Sequence, residues 1–192
     1  DAMDLAKMLA ILRLIEPLAG PDFTIYRQTR TGLLSYPLDA DAARAHLAAS
    51  VYLQMMLKPH IIHVVGYTEA DHAATAADVI ESCGLARRAV ENALRGAPDG
   101  TADPRVQARA AELAAEARIT LGVIASLGGT ETDPWSDPAV LARAVSLGIL
   151  DAPQLVNNPF ARGQIRSRII GGACLAVDAK GRPLSEAQRL EK

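Results

Sequence analysis

The sequence predicts an α/β fold in which parallel strands alternate with helices. Apolar residues recur at helical spacing in several segments, and short β-favouring runs separate the first of these segments. Residues 61–65 form a continuous, largely β-branched apolar run bounded by Pro59 and Gly66. Such a run is typical of a strand that is buried on both faces of a parallel sheet. The alternation of strand and helix favours parallel βα units.

Six segments have the apolar spacing of a helix. They span residues 3–18, 40–57, 78–95, 104–127, 138–148 and 184–190. Thr75 or Asp78 is a candidate N-cap for the third segment. Asp103-Pro104 and Asp137-Pro138 each place a capping carboxylate before a proline at the first helical position, which predicts two further helix starts.

Two strands are predicted, Phe23–Tyr26 and residues 61–65. Near the C-terminus, isoleucines alternate with arginines, and Gly171-Gly172 and Lys180-Gly181 are turn signals. A hairpin or an irregular segment is therefore expected there.

Two parallel strands can neither close a sheet nor cover its edges. A complete (β/α)8 TIM barrel takes about 250 residues, whereas this chain has 192. The expected fold is therefore the C-terminal part of a TIM barrel, with closing βα units at residues 1–100 and a mostly helical and irregular C-terminal extension at residues 101–192. The chain lacks an initiator Met and opens into a helical pattern. It is expected to be a piece of a longer or processed polypeptide whose N-terminal barrel half lies elsewhere.

The composition argues against several classes of protein. Hydrophobic residues make up 49% of the chain and the formal net charge is -2, so neither disorder nor binding to nucleic acid or an anionic membrane is expected. Cys83 and Cys174 have no disulfide or zinc spacing, which favours a reducing, cytoplasmic location. His60 and His63 lie three apart on a predicted strand and are expected on opposite faces, so no shared metal is predicted.

Polar side chains follow both predicted strands, where functional residues of parallel sheets are usually found. After the first strand come Arg27, Gln28 and Arg30, which are candidates for binding an anionic substrate because Arg forms bidentate bonds to carboxylate or phosphate. A solvated basic loop is the alternative. Arg162, Arg166 and Arg168 form a further basic strip, which is a candidate for binding a partner or an anionic group, or is simply a solvated strand face.

The loop after the second strand has the densest polar chemistry in the chain. Tyr67, Thr68, Glu69, Asp71 and His72 follow Gly66 within six residues. These groups can accept sugar hydroxyls or act as acid and base. A capping and turn cluster is an equally good interpretation.

The order of these features resembles the C-terminal portion of one family, the large (epsilon) chain of methylaspartate mutase, also called glutamate mutase. The stretch from Val65 to Ala70 is similar to that family's Lys-Thr-Pro-His-Glu-Ala segment, with Thr75 six residues after Glu69. Residues 147–153 (LGILDAP) are similar to the family's Ala-Gly-Val-Ile-Asp-Val-Pro, and an Asn-containing loop and an Arg-containing segment follow. One departure is that the family's lysine falls on Val65.

The resemblance implies a TIM barrel and a radical carbon-skeleton isomerisation of an amino acid or related small acid, with adenosylcobalamin as cofactor. Glu69 is the implied contact to the adenosyl ribose, with Tyr67, Thr68 and Thr75 in the same cofactor-binding loop. The family's other parts imply two partners, an N-terminal barrel half and a B12-binding small subunit. Two alternatives stay open, a non-catalytic assembly module derived from a barrel and a barrel enzyme that holds another anionic substrate.

Overall fold

Short strands form two separate two-stranded sheets in the computed structural model, which describes residues 2–129 and 133–191. Strand β1 (Gln28–Arg30) pairs in parallel with β2 (Ile61–His63), and β3 (Ser167–Ile170) pairs antiparallel with β4 (Ala173–Ala176). The α-helices of the described residues are α1 (Ala2–Ile15), α2 (Ala40–Gln54), α3 (Ala76–Leu94), α4 (Pro104–Ser126), α5 (Pro138–Ser146) and α6 (Glu186–Leu190). The chain divides into two compact units, Asp1–Ala110 and Ala111–Lys192.

The prediction that the chain is the C-terminal part of a TIM barrel is wrong. Within the described residues, β1 and β2 are the parallel strands, each is three residues long, and neither pairs with a third. The apolar run 61–65 predicts a strand of five residues, but the pairing of β2 with β1 ends at His63. One reason is that the Val65 carbonyl accepts a hydrogen bond from the Tyr36 hydroxyl instead of from a neighbouring strand.

The first strand lies further along the chain than the sequence predicts. Phe23 pairs back to Gly20 in an isolated bridge, which uses its backbone groups locally. The Arg27 carbonyl then accepts hydrogen bonds from the amides of His60 and Ile61, at 2.9 and 3.1 Å. These bonds set the register, so that Gln28 rather than Phe23 begins β1.

The predicted helices are confirmed, with ends that shift by a few residues. Thr75 is the N-cap of α3 and forms a reciprocal capping box with Asp78. Asp137 caps α5, and Pro138 occupies its first turn. The hairpin expected near the C-terminus is also confirmed. Gly171 and Gly172 both have positive φ, 57° and 82°, as a two-residue hairpin turn requires.

The first unit has its main core where α2 and α3 pack together over one face of β1 and β2. Leu47 and Val51 of α2 are buried, and Ala86 and Ala89 of α3 pack in the same cluster. Small side chains on α3 allow the two helices to approach closely. A second cluster joins α1 to the 3-10 turn after α2 and to the start of α4.

The opposite face of the β1–β2 sheet is exposed. Gln28, Arg30, Ile61 and His63 all point to this face because side chains alternate along a strand and these residues are paired in register. All four are exposed, whereas Thr29 on the other face is buried. The expectation that the second strand is buried on both faces is therefore wrong.

The second unit has a smaller core formed by Ile124, Val140, Ala144 and Ile149. After α5 the chain runs through a loop to the β3–β4 hairpin and ends in α6. Within residues 2–129 and 133–191, no helix combines the length and the apolar character needed to cross a lipid bilayer.

Replacing Leu47 by Ala should lower the free energy of unfolding by about 2–5 kcal/mol, because the side chain is fully buried between α2, α3 and the sheet. Urea denaturation followed by circular dichroism measures the change. Leu94→Ala is the matched control, since Leu94 is 73% exposed and an exposed site changes stability by about 0.5 kcal/mol or less. Equal effects of the two substitutions would contradict this packing.

Candidate functional site

The parallel pairing of β1 and β2 brings the loops that follow them to the same end of the sheet. Residues 31–37 follow β1, and residues 64–72 follow β2. Tyr36 of the first loop is buried and donates its hydroxyl to the Val65 carbonyl of the second, at 3.0 Å. Burial raises the pKa of Tyr36, against a lowering hydrogen bond with Thr31, and the negative charge of Glu69 raises it further. The structure therefore joins the two loops that the sequence indicates.

Glu69 is held by the turn that carries it. Its amide donates to the Gly66 carbonyl at 3.1 Å, and its Oε1 accepts the amide N–H of Gly66 in return. A Cβ at Gly66 would lie 3.0 Å from that same Oε1, so a glycine suits this close approach. The side chain is exposed, and Oε2 has no hydrogen-bond partner among the described residues. One carboxylate oxygen thus fixes the orientation and the other is available to a ligand.

Tyr67 lies in the loop after β2, and its side chain bonds to residues of α2 and α3. Its ring is buried, and its hydroxyl donates to Glu81 at 2.7 Å and accepts from Arg44 at 2.9 Å. Arg44 also pairs with Glu81 at 2.7 Å, and its guanidinium lies 4.5 Å from the centre of the Tyr67 ring. The network links α2, the loop and α3.

The pKa values of this network follow from its hydrogen bonds. The hydrogen bond to Glu81, followed by burial, raises the pKa of Tyr67. Hydrogen bonds from Arg44 and then from Tyr67 lower the pKa of Glu81. At neutral pH the network therefore holds a neutral phenol between a carboxylate and a guanidinium, and its polar atoms bond to one another.

Thr75 and Thr68 have contrasting environments. The Thr75 hydroxyl and amide both donate to Asp78, at 2.7 and 2.8 Å, and the hydrogen bond from the hydroxyl is the first cause of the lowered pKa of Asp78. Thr75 is therefore occupied as a helix cap. The Oγ1 atom of Thr68 is buried and has no hydrogen-bond partner among the described residues.

The three residues predicted to bind an anionic substrate do not converge. Gln28 and Arg30 share the exposed face of the sheet, but Arg27 precedes β1. Its amide donates to His60 Nδ1 at 3.0 Å, and its Nε is buried without a hydrogen-bond partner in the described part of the chain. Of the three, Gln28 and Arg30 are therefore the residues that share the exposed face.

Register brings His63 beside Arg30, which sequence reasoning missed. The two residues are 33 apart in the chain, and only the pairing of Arg30 with His63 makes them neighbours. Both side chains are exposed, so the exposed face of the sheet presents Gln28, Arg30 and His63 around Ile61. Amide, guanidinium and imidazole groups of this kind can bind a carboxylate.

Comparison of the sequence with protein-family models and with curated proteins found no match. The resemblance to the large chain of methylaspartate mutase therefore rests on the residues that carry it, chiefly the segment from Val65 to Ala70 and the tail at 147–153.

The substitution Tyr36→Phe should lower the free energy of unfolding by about 1–3 kcal/mol, because it leaves the Val65 carbonyl without its buried donor. Tyr26→Phe is the matched control, since Tyr26 is 69% exposed. Thermal or urea unfolding of both variants measures the difference. If the two variants unfold alike, the hydroxyl of Tyr36 does not join the loops.

Proposed function

We propose that this chain forms one wall of the active site of an adenosylcobalamin-dependent carbon-skeleton mutase that is completed by partner chains. The observation that carries the proposal is the exposed carboxylate of Glu69. Glu69 lies in the loop after β2, at the end of the sheet where Arg30 ends β1. The Gly66 amide orients its carboxylate. The resemblance to methylaspartate mutase supports the same role, since Glu69 stands where that family has its adenosyl-contacting glutamate.

The loop fits the ribose part of an adenosyl group. The free carboxylate oxygen on Glu69 accepts one ribose hydroxyl. Tyr67 and Thr75 support the loop and do not contact the ligand, because their hydroxyls are bonded to α3. When bound, the cofactor supplies an adenosyl radical by homolysis of its cobalt–carbon bond. The chain's own contribution is to hold the adenosyl group in place.

The exposed sheet face supports a site for the acid substrate. Arg30 binds a carboxylate through two N–H groups, and Gln28 and His63 add neutral donors beside it. This face is open to water, whereas parallel sheets in proteins are normally covered on both faces. A partner chain that covers it would exclude water from a radical intermediate. The proposal therefore includes a partner chain that covers this face. The resemblance adds a B12-binding chain, and the proposed location is the cytoplasm.

The ribose contact can be tested by titrating the full chain with adenosine and following amide signals by NMR. Saturable shifts are expected in residues 66–70. Binding should weaken about tenfold or more with 2′,3′-dideoxyadenosine, and equally in Glu69→Gln, because one charge-assisted hydrogen bond is lost. Glu91→Gln is the control, since Glu91 pairs on α3 with Arg87 and Arg88. Equal binding of both nucleosides, or no effect of Glu69→Gln, would rule the contact out.

A non-catalytic assembly module is the second candidate. It is favoured by the network of Tyr67, Arg44 and Glu81, whose polar atoms satisfy one another, and by the burial of Val65 where the family has a lysine. In this case the exposed sheet face binds a partner, and residues 66–72 only shape the loop. A chain that binds no adenosine yet keeps a partner through purification would favour this candidate.

A further inference from the structure

The second unit contains a cavity that the proposed function does not use. Its volume is about 320 Å³, and it lies between the turn after α5, the segment 162–166 and the residues after β4. Arg162 and Arg166 both line it. Neither side chain has a hydrogen-bond or ion-pair partner within residues 2–129 and 133–191.

Two of the other charged side chains that line the cavity, Arg189 and Asp178, have partners of opposite charge. Arg189 pairs with Glu186 and donates to the carbonyls of Gly148 and Ile149, at 3.1 and 2.9 Å. Asp178 pairs with Arg182 at 2.7 Å. Asp151 also lines the cavity and carries one negative charge, so the two unpartnered arginines leave the lining with an excess of one positive charge.

Asp151 anchors the segment that carries these arginines. Its carboxylate accepts the amide N–H groups of Gly163, Gln164 and Ile165, at 2.7, 2.8 and 3.2 Å. Burial acts to raise the pKa of Asp151, but the backbone hydrogen bonds outweigh it and the pKa is lowered. Asp151 is thus ionised at neutral pH, and its carboxylate is stabilised by three backbone N–H groups. The residues on either side, Arg162 and Arg166, are held by a fixed loop.

The Arg162 side chain lies close over the backbone of Gly148. The glycine has a φ of +75°, and a Cβ placed on it would lie 2.8 Å from Arg162 Cδ. The methylene groups of Arg162 therefore pass directly over the backbone of this turn. An arginine that is placed before a ligand arrives loses less side-chain freedom on binding.

We propose that this cavity binds a small organic oxyanion, a carboxylate or a phosphate, that carries an apolar group. Arg162 and Arg166 hold the oxyanion through charge-assisted hydrogen bonds. The apolar group lies against Leu147, Ile165 and Leu184, which line the same cavity. The site belongs to the second unit alone and is independent of the proposed mutase function.

The test is an NMR titration of the full chain at low salt with three probes, namely inorganic phosphate, phenyl phosphate and 3-phenylpropionate. Saturable shifts are expected at the amides of residues 148 and 163–166. The dissociation constant of phenyl phosphate or 3-phenylpropionate should be at least about tenfold lower than that of inorganic phosphate, because the ring buries apolar surface. The tighter of the two identifies the oxyanion as phosphate or carboxylate.

Three variants decide the role of the arginines. Arg162→Gln and Arg166→Gln should each weaken binding of the tighter probe by about tenfold. Arg168→Gln should leave it unchanged, since Arg168 lies on β3 outside the lining. Raising the salt concentration should also weaken binding. No saturable binding by any probe up to about 10 mM, or equal binding by all three variants, would overturn the proposal.

Discussion

The parallel pairing of β1 with β2 is the constraint on which the first unit depends. Three residue pairs, Gln28 with Ile61 through Arg30 with His63, set which side chains share a face and which loops share an end. α2 lies between these strands in the chain and packs with α3 over the buried face. A slip of one residue would move Thr29 from the buried face to the exposed one. The partly buried hydrogen bond from the Thr31 hydroxyl to Ser50, at 3.0 Å, would be lost with it.

One face of the β1–β2 sheet has no covering layer among the described residues. The opposite face has a core of leucine, valine and alanine, while this face presents a glutamine, an arginine, a histidine and an isoleucine to solvent. Because both strands are short and carry polar side chains on this face, their edges are poor templates for pairing with strands of other chains. The exposed face is also the surface where a specific partner or a carboxylate is best accommodated. Both candidate functions therefore depend on what covers this face.

Much of the helical structure is predictable from the sequence, because caps and apolar spacing are local. Asp103-Pro104 and Asp137-Pro138 mark the starts of α4 and α5 without reference to the rest of the chain. Gly171-Gly172 predicts the hairpin turn for the same reason. The strands are harder to predict, because their bounds depend on distant residues. Phe23–Tyr26 has the better β-forming composition, yet Arg27 is the residue that meets His60 and Ile61.

The candidate site is predictable only in part, for a similar reason. The sequence indicates the polar loop at 66–72, but it does not distinguish residues that face a ligand from residues that support the loop. Tyr67 is bonded to Arg44 and Glu81, which lie 23 and 14 residues away. Thr75 is a cap, and the capping pattern with Asp78 is visible in the sequence. His63 beside Arg30 follows only once the register is known.

The most direct test of this account is a nuclear Overhauser measurement on the isotopically labelled full chain. Cross-peaks between the Tyr36 ring and Val65, together with contacts between Thr29 and Ile62 of the paired strands, are the predicted result. They would establish that the parallel pair brings the two loops together. A Tyr36 ring without contacts to Val65, or strand contacts in another register, would contradict the account and separate Arg30 from the Glu69 loop.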